Sequence, residues 1–368
     1  MFEMANISTV FPILNGSVEP TSPSEYHYKA RVVLAVFWIL FTVFGFTGSS
    51  LVIWSVVLSK KLRTVTNAFV VNLSVADFWT AMSYPWMAVA GLGVHQWPLE
   101  SEIPCRIAAL QFNTGFGASL YILAAIAVNR WVVVTQSIDT YRWLYTPKKL
   151  AAMIAATWII PCLLVSLPPA FQAGKLGFDE RTHTCSDVSN ATYNLVMTLG
   201  LYPIPMVIII SSYTALYVHI RRHFKQQKRR HAPMGKSSTI VDVELTSDKS
   251  FSADPTGASS GPTIDSMSAK SLKAIKRQQM AITKNLFLIC LAFTVLVSPY
   301  FMSLAAPGSA GFTVYAAIIA TVNSCVSPII YTVNHPHFKV IFPLMLTCRY
   351  AEIPEPSDFL KYFLSRKK

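Results

Sequence analysis

Seven stretches of the chain stay apolar long enough to cross a bilayer: about 32–59, 67–94, 104–135, 149–171, 193–220, 284–306 and 310–333. A helix rises 1.5 Å per residue, and a bilayer core asks for roughly 20 apolar residues. Each stretch therefore reads as a membrane-spanning helix. The third has the most informative pattern. Phe112, Phe116, Ser119, Leu123, Ile126 and Arg130 recur at steps of four and three, so they share one helical face. That face is apolar near Cys105, polar at its middle and cationic at Arg130. A guanidinium at this depth costs several kcal/mol unless it is paired or wetted, which marks a functional position. A plainer role also fits: a side chain that reaches for the interface and anchors the helix end.

Composition agrees with the spans. The 368 residues are 52% hydrophobic and 13% charged, too apolar for one soluble domain. Charge then sets the topology. Of 31 Lys and Arg, only Lys29, Arg31, Arg106, Lys175 and Arg181 fall on the N-terminal side of the membrane. The basic side faces the cytoplasm, so the N-terminus is expected outside. The net charge of +13 is thus a topology signal and does not point to nucleic acid. Residues 1–31 carry Pro, Ser and acidic side chains without a continuous apolar core, so no cleavable leader is expected and the first span starts insertion.

The expected architecture is an all-α, seven-transmembrane helix bundle with the N-terminus outside. Residues 1–31 form an extracellular tail and 32–333 the bundle. The remaining 334–368 hold a short amphipathic eighth helix on the cytoplasmic face, then a tail. Pro336 suits the first turn of that eighth helix. The loops near 60–66 and 136–148 are short and basic. The loop between spans five and six is polar and Ser/Thr-rich, and reads as disordered over about 225–272. The basic runs Arg221 to Arg230 and Lys270 to Arg277 read as cytoplasmic extensions of helices five and six.

Cysteines fit the same topology. Cys162, Cys290 and Cys325 lie in spans and Cys348 in the cytoplasmic tail. Cys105 and Cys185 face the oxidising side, which makes one disulfide between them the economical pairing. The sequons at Asn6, Asn15 and Asn190 also lie outside, where glycosylation is expected. The sequon at Asn72 sits inside the second span and is discounted.

Asp77 is an acid within a span that no snorkelling can bring to water. A buried carboxylate is protonated or finds partners. Ser119, Asn323, Ser324 and Ser327 are suitable groups at similar depth. Oxygen-only ligands around one carboxylate suit a small hard cation, Na⁺ outside a cell. A hydrogen-bonded polar knot joining three helices is the other reading, and the two are compatible. Prolines in helices two, four, five, six and seven (Pro85, Pro161, Pro168, Pro169, Pro203, Pro205, Pro299 and Pro328) remove backbone bonds where a bundle can hinge. Tyr213 and Tyr331 are phenols near the Arg130 end.

With these features on the page, the chain resembles a rhodopsin-like (class A) G protein-coupled receptor. The match runs through all seven spans. It comprises Leu73-Ser-Val-Ala-Asp77, Cys105, Asn129-Arg130-Trp131, Trp158, Pro205 with Tyr213, Phe293 with Pro299, Ser327-Pro-Ile-Ile-Tyr331, and then Phe338. The resemblance implies a multi-pass plasma-membrane receptor with an extracellular agonist. It implies outward movement of helix six and a heterotrimeric G protein docking against Arg130, with arrestin, a receptor kinase and membrane lipids as further partners. It also implies that Cys105–Cys185 is the family disulfide and that Cys348 carries palmitate. The 14 Ser and Thr between Lys236 and Ser271 are candidate phosphorylation sites.

The chain departs from the family pattern at several points. Asn129 stands where an acid usually precedes the Arg, so charge cannot hold the guanidinium. Gln279 is neutral where some relatives carry a restraining acid. Val297 replaces the usual Trp before Pro299, Ser327 the usual Asn before Pro328, and Ser49 the usual Asn after Gly48. A weakened inactive-state lock follows, or impaired coupling. The Asn-Arg pattern is similar to melatonin receptors and to the orphan group that includes moody and trapped in endoderm.

A ligand pocket open to the outside would be lined by Phe112, Asn113, Phe116, Tyr202, Tyr300, Phe301 and Tyr315. No carboxylate stands at Phe112 or one turn either side, so the amine anchor of biogenic-amine receptors is missing. Helix seven holds no Lys, which excludes a retinal Schiff base. An uncharged indole-like, lipid-like or peptide ligand is expected. A transporter would show repeats or paired broken helices, and an intramembrane enzyme a His/Asp cluster; neither pattern is present. A receptor-shaped scavenger or scaffold that does not couple is the remaining alternative.

Overall fold

The computed structural model describes residues 23–93, 96–188, 191–230, 264–305, 310–334 and 337–366. The glycosylation candidates Asn6, Asn15 and Asn190, and Pro336, lie outside the described residues, as do 231–263 of the long loop.

Helix α1 runs Pro23–Leu58, starting earlier than the expected 32 because nothing in Pro23-Ser-Glu-Tyr breaks it. The second span arrives in two pieces, α2 (Val65–Ala81) and α3 (Tyr84–Leu92). Pro85 in the first turn of α3 has no N–H to continue the ladder. The hydroxyl of Ser83 donates to the Thr80 carbonyl at 2.6 Å, which satisfies one group left at the break. Helix α4 is Ile103–Thr135, α5 Ile138–Leu144 and α6 Pro147–Ala170. A two-stranded antiparallel hairpin follows, β1 (Leu176–Asp179) with β2 (Thr184–Asp187), pairing Phe178 with Cys185. The fifth span breaks at Tyr202 into α7 (Ala191–Leu201) and α8 (Pro203–Arg230), just before Pro203 and Pro205. Helix α9 is Ile264–Ala305, with Pro299 inside it. The seventh span divides at Val322 into α10 (Ala310–Thr321) and α11 (Asn323–Asn334). Helices α8 and α9 extend into the loop expected to be disordered over about 225–272, covering 225–230 and 264–272 of it.

Among the described residues, six helical segments are long and apolar enough to cross a membrane, and the α2–α3 pair supplies the seventh crossing of the bundle. Helix α4 is the axis. It packs against α2, α3, α6 and α8, and residues all round it are buried. Its glycines allow the close approach that association in lipid relies on. A Cβ on Gly117 would meet Pro161 of α6 at 2.9 Å and Leu201 of α7 at 2.7 Å. At one end the disulfide Cys105–Cys185 ties the first turn of α4 to β2. At the Arg130 end, the eighth helix is α12, Phe338–Leu346. The tail expected after it contains further structure. A 3₁₀ turn at Tyr350–Glu352 leads to a last helix, α13, Asp358–Ser365.

Candidate functional site

Three groups of side chains lie along α4, one at each end and one at the middle. At its C-terminal end Asn129 and Arg130 are 0% and 2% exposed. The start of α2 meets them. Thr64 caps that helix by accepting from the Asn67 N–H at 3.2 Å, and this aims Thr66 at α4. The Thr66 hydroxyl donates to Asn129 Oδ1 at 2.9 Å, while its oxygen accepts from Arg130 Nη2. The phenols of Tyr213, Tyr141 and Tyr145 lie within electrostatic range of the guanidinium. Tyr213 also contacts Cys290 Sγ at 3.6 Å, and the buried Tyr331 ring packs on Phe338 at 5.5 Å. Trp131 is half-buried against the core. A cavity of about 450 Å³ opens beside this group, lined by Arg130, Thr66, Asn67, Tyr141, Ile282 and His337 among others. Partial burial and Lys61, opposed by Glu355, hold the His337 imidazole below its ordinary range.

The polar residues proposed around Ser119, midway along α4, are all buried, with a division among them. Asp77, Ser119, Asn323, Ser324 and Ser327 are each at most 3% exposed. Asp77 hydrogen-bonds Ser119. Ser324 is committed elsewhere, to the Tyr84 hydroxyl at 2.7 Å. Among the described residues, Asp77 Oδ2, Asn323 Oδ1, Ser327 Oγ and Ser49 Oγ are buried without a hydrogen-bond partner. Buried oxygens in this state normally find water or an ion.

Toward the disulfide end the aromatics form one packed set. Phe112 lies 4.7 Å from Phe116 and 5.7 Å from Tyr300 between ring centroids. The Tyr300 hydroxyl donates to Asn113 Oδ1 at 3.4 Å. Tyr202 stacks on Phe301 at 5.1 Å and hydrogen-bonds Ser298 at 2.5 Å. Tyr315 is instead 52% exposed. Phe116 also reaches Phe293 at 6.5 Å, one helical turn before the fully buried Val297. Trp38 and Tyr84 belong to the set too, at 6.0 and 6.4 Å from Phe112. Sequence reasoning missed both, along with Thr66; Trp38 and Tyr84 were visible only as aromatics within apolar runs. Cys348 is exposed and free just past α12, with a positive φ of 55°.

The family model described as 7 transmembrane receptor (rhodopsin family) matches residues 48–331. The G-protein coupled receptor moody of Drosophila melanogaster is 24% identical, over 93% of this chain and 55% of its own length. The chain thus spans about half the length of that relative. The 5-hydroxytryptamine receptor 1B of Vulpes vulpes is 26% identical over 87% of this chain and 88% of its own. The crystal structure of squid rhodopsin superposes with a TM-score of 0.66 at 19% identity, covering 92% of this chain and 94% of that one.

Proposed function

Because the chain belongs to the rhodopsin family of 7 transmembrane receptors, we propose that it passes the binding of an outside ligand to a heterotrimeric G protein. The family is one of multi-pass signalling receptors of the plasma membrane, not of enzymes. The observation that carries the proposal is the Thr66–Asn129–Arg130 cluster, whose Thr66 and Arg130 line the 450 Å³ cavity. Burying a cation in the closed bundle costs free energy that new partners can offset. Helix movement that opens the cavity offers Arg130 new partners, and a docking G protein supplies them.

The charge distribution supports the disulfide end as the outer one. The neutral aromatic set around Phe112, Asn113, Phe116, Tyr202, Tyr300 and Phe301 favours an uncharged indole-like, lipid-like or peptide ligand. One relative is named for 5-hydroxytryptamine. An amine would find no carboxylate here at Phe112 or one turn either side. Asp77 Oδ2, Asn323 Oδ1 and Ser327 Oγ, with Ser119 beside the carboxylate, fit Na⁺ by donor chemistry and by their lack of protein partners. The ion would supply charge that holds α2, α4 and α11 together. Palmitate on Cys348, glycans on Asn6, Asn15 and Asn190, and arrestin and a receptor kinase acting on the Ser/Thr-rich loop complete the proposal.

The test is nucleotide exchange on a panel of purified heterotrimers, basal and with a ligand panel, using receptor in lipid. Exchange that Arg130→Ala abolishes is expected. Absence of exchange on every heterotrimer, with solute transport by the same vesicles, would overturn it.

A further inference from the structure

Beyond α12 the chain turns back and is fastened to the foot of α1. Arg349 pairs with Glu352 at 2.6 Å across the 3₁₀ turn, and Ile353 enters the core at 3% exposure. Residues 354–357 then run antiparallel to 58–60. The Ser59 hydroxyl donates to the Pro354 carbonyl at 2.8 Å, Lys60 N–H to Glu355 O at 2.9 Å, and Ser357 N–H to Leu58 O at 2.8 Å. Ser59 and Ser357 are both fully buried. Ser357 next caps α13, accepting from the Leu360 N–H at 3.2 Å, and Lys60 neutralises Asp358 at 2.7 Å.

This fastening buries only part of what α13 carries. Leu360, 2% exposed, and Leu364 face the protein. Phe359, Tyr362 and Phe363 remain 54%, 59% and 53% exposed, a second apolar strip on the same short helix. Ser357, the cap of this helix, is bonded to Leu58, the last residue of the membrane segment Tyr28–Leu58. The last turns of α1, against which α13 packs, expose Trp54 and Val57 at 50% and 37%. After Asp358 the sequence carries Lys361, Arg366, Lys367 and Lys368 and no acid. Arg366 lies over the Tyr362 ring at 5.1 Å. Aromatic residues and basic heads on one amphipathic helix match a bilayer interface rich in anionic lipid.

We propose that α13 is a second interfacial helix, seated on the anionic lipid surface at the Arg130 end. Phe359 and Phe363 enter the acyl boundary, while Lys361 and Arg366 meet lipid headgroups. The clasp at Ser59 holds the helix at that depth. The proposal rests on α1 crossing the membrane, which the test checks separately.

The full chain, with Cys162 and Cys348 replaced by Ser, is placed in nanodiscs of phosphatidylcholine with phosphatidylserine. Nitroxide labels are attached through Phe363→Cys, through Lys361→Cys and, on the exposed flank of α1, through Val43→Cys. Accessibility to oxygen and to a water-soluble nickel complex reports depth. The 363 label is expected to meet oxygen several-fold more than nickel, the 361 label the reverse. Adding K361E/R366E to Phe363→Cys is expected to move that label into water. A water-exposed 363 label beside a lipid-buried 43 label overturns the proposal alone. Labels at 43 and 363 both in water overturn the spanning reading beneath it. Dipolar broadening at 363 reveals a second copy as the occupant, and indifference to the charge reversal refutes the headgroup contact.

Discussion

The Thr66 hydroxyl donates to Oδ1 of Asn129 across 2.9 Å, and through that hydroxyl α2 reaches Arg130 as well. Asn129 itself brings no charge to this contact. Asn129→Asp places a carboxylate beside the guanidinium in the closed arrangement. An added interaction of about 1.4 kcal/mol lowers the open population roughly tenfold. Basal nucleotide exchange at matched surface expression is therefore expected to fall by about that factor. Thr66→Val removes the bridging hydroxyl at similar volume and is expected to raise basal exchange. Identical basal rates for wild type and Asn129→Asp would remove the basis of the weakened-lock reading.

The unpartnered oxygens around Asp77 make a second expectation. A ligand that binds the folded state alone raises its stability in proportion to the logarithm of its concentration. NaCl, compared with choline chloride at equal ionic strength, is expected to raise the melting temperature of the wild type by a few degrees. Asp77→Asn keeps the Ser119 contact in reach but cannot offset the cation's charge, so its melting temperature should ignore Na⁺. Equal Na⁺ responses would leave the polar-knot reading standing and the ion without a site here.

Close approach of α2 and α4 depends on Gly115. A Cβ there would fall on Thr80 Oγ1 and lie 3.1 Å from Thr80 Cβ. Thr80 cannot swing away cheaply, since it is buried and its hydroxyl donates to Ala76 O at 2.8 Å. Gly115→Ala is expected to cost about 1–3 kcal/mol and to lower the melting temperature by several degrees. Adding Thr80→Ala deletes the clashing oxygen, so the double variant should recover most of the loss, read as a coupling energy. Additive losses would mean the helices do not meet at this pair.

How far the sequence disclosed these arrangements depended on the range of the interaction involved. The stripe Phe112, Phe116, Ser119, Leu123, Ile126, Arg130 is buried along its whole length, because helical spacing is a local property of the chain. The pairing of Cys105 with Cys185 followed from topology alone. The division of the second span was half visible. Pro85 announced a distortion, but whether a proline bends or interrupts a helix depends on who takes the freed carbonyls, here Ser83. Thr66 carries no motif, and only the capped start of α2 aims it at Asn129. The clasp was hidden for another reason. Ser59 and Pro354 are 295 residues apart, and an exchange of backbone bonds leaves no mark on side-chain pattern.

Glu102 supplies a pH test at the disulfide end. Its Oε1 accepts from the Phe178 N–H of β1 at 2.9 Å and its Oε2 from Arg106 Nη2 at 2.8 Å. Partial burial alone would push this carboxyl up, but the Phe178 N–H, Arg106 and Lys175 together hold it below the ordinary range. A carboxyl more acidic in the folded than the unfolded chain contributes stability above the unfolded value. That contribution is lost as pH falls through the lowered folded one. Glu102→Gln keeps an acceptor for Phe178 and loses only the charge. The wild type should therefore melt above Glu102→Gln at neutral pH, and the gap should close once pH drops through and below the ordinary carboxylate range. Arg106→Gln, which leaves Glu102 with Phe178 and Lys175, should shrink the gap without abolishing it. A gap that stayed constant across that window would assign the effect to hydrogen-bond geometry and not to charge.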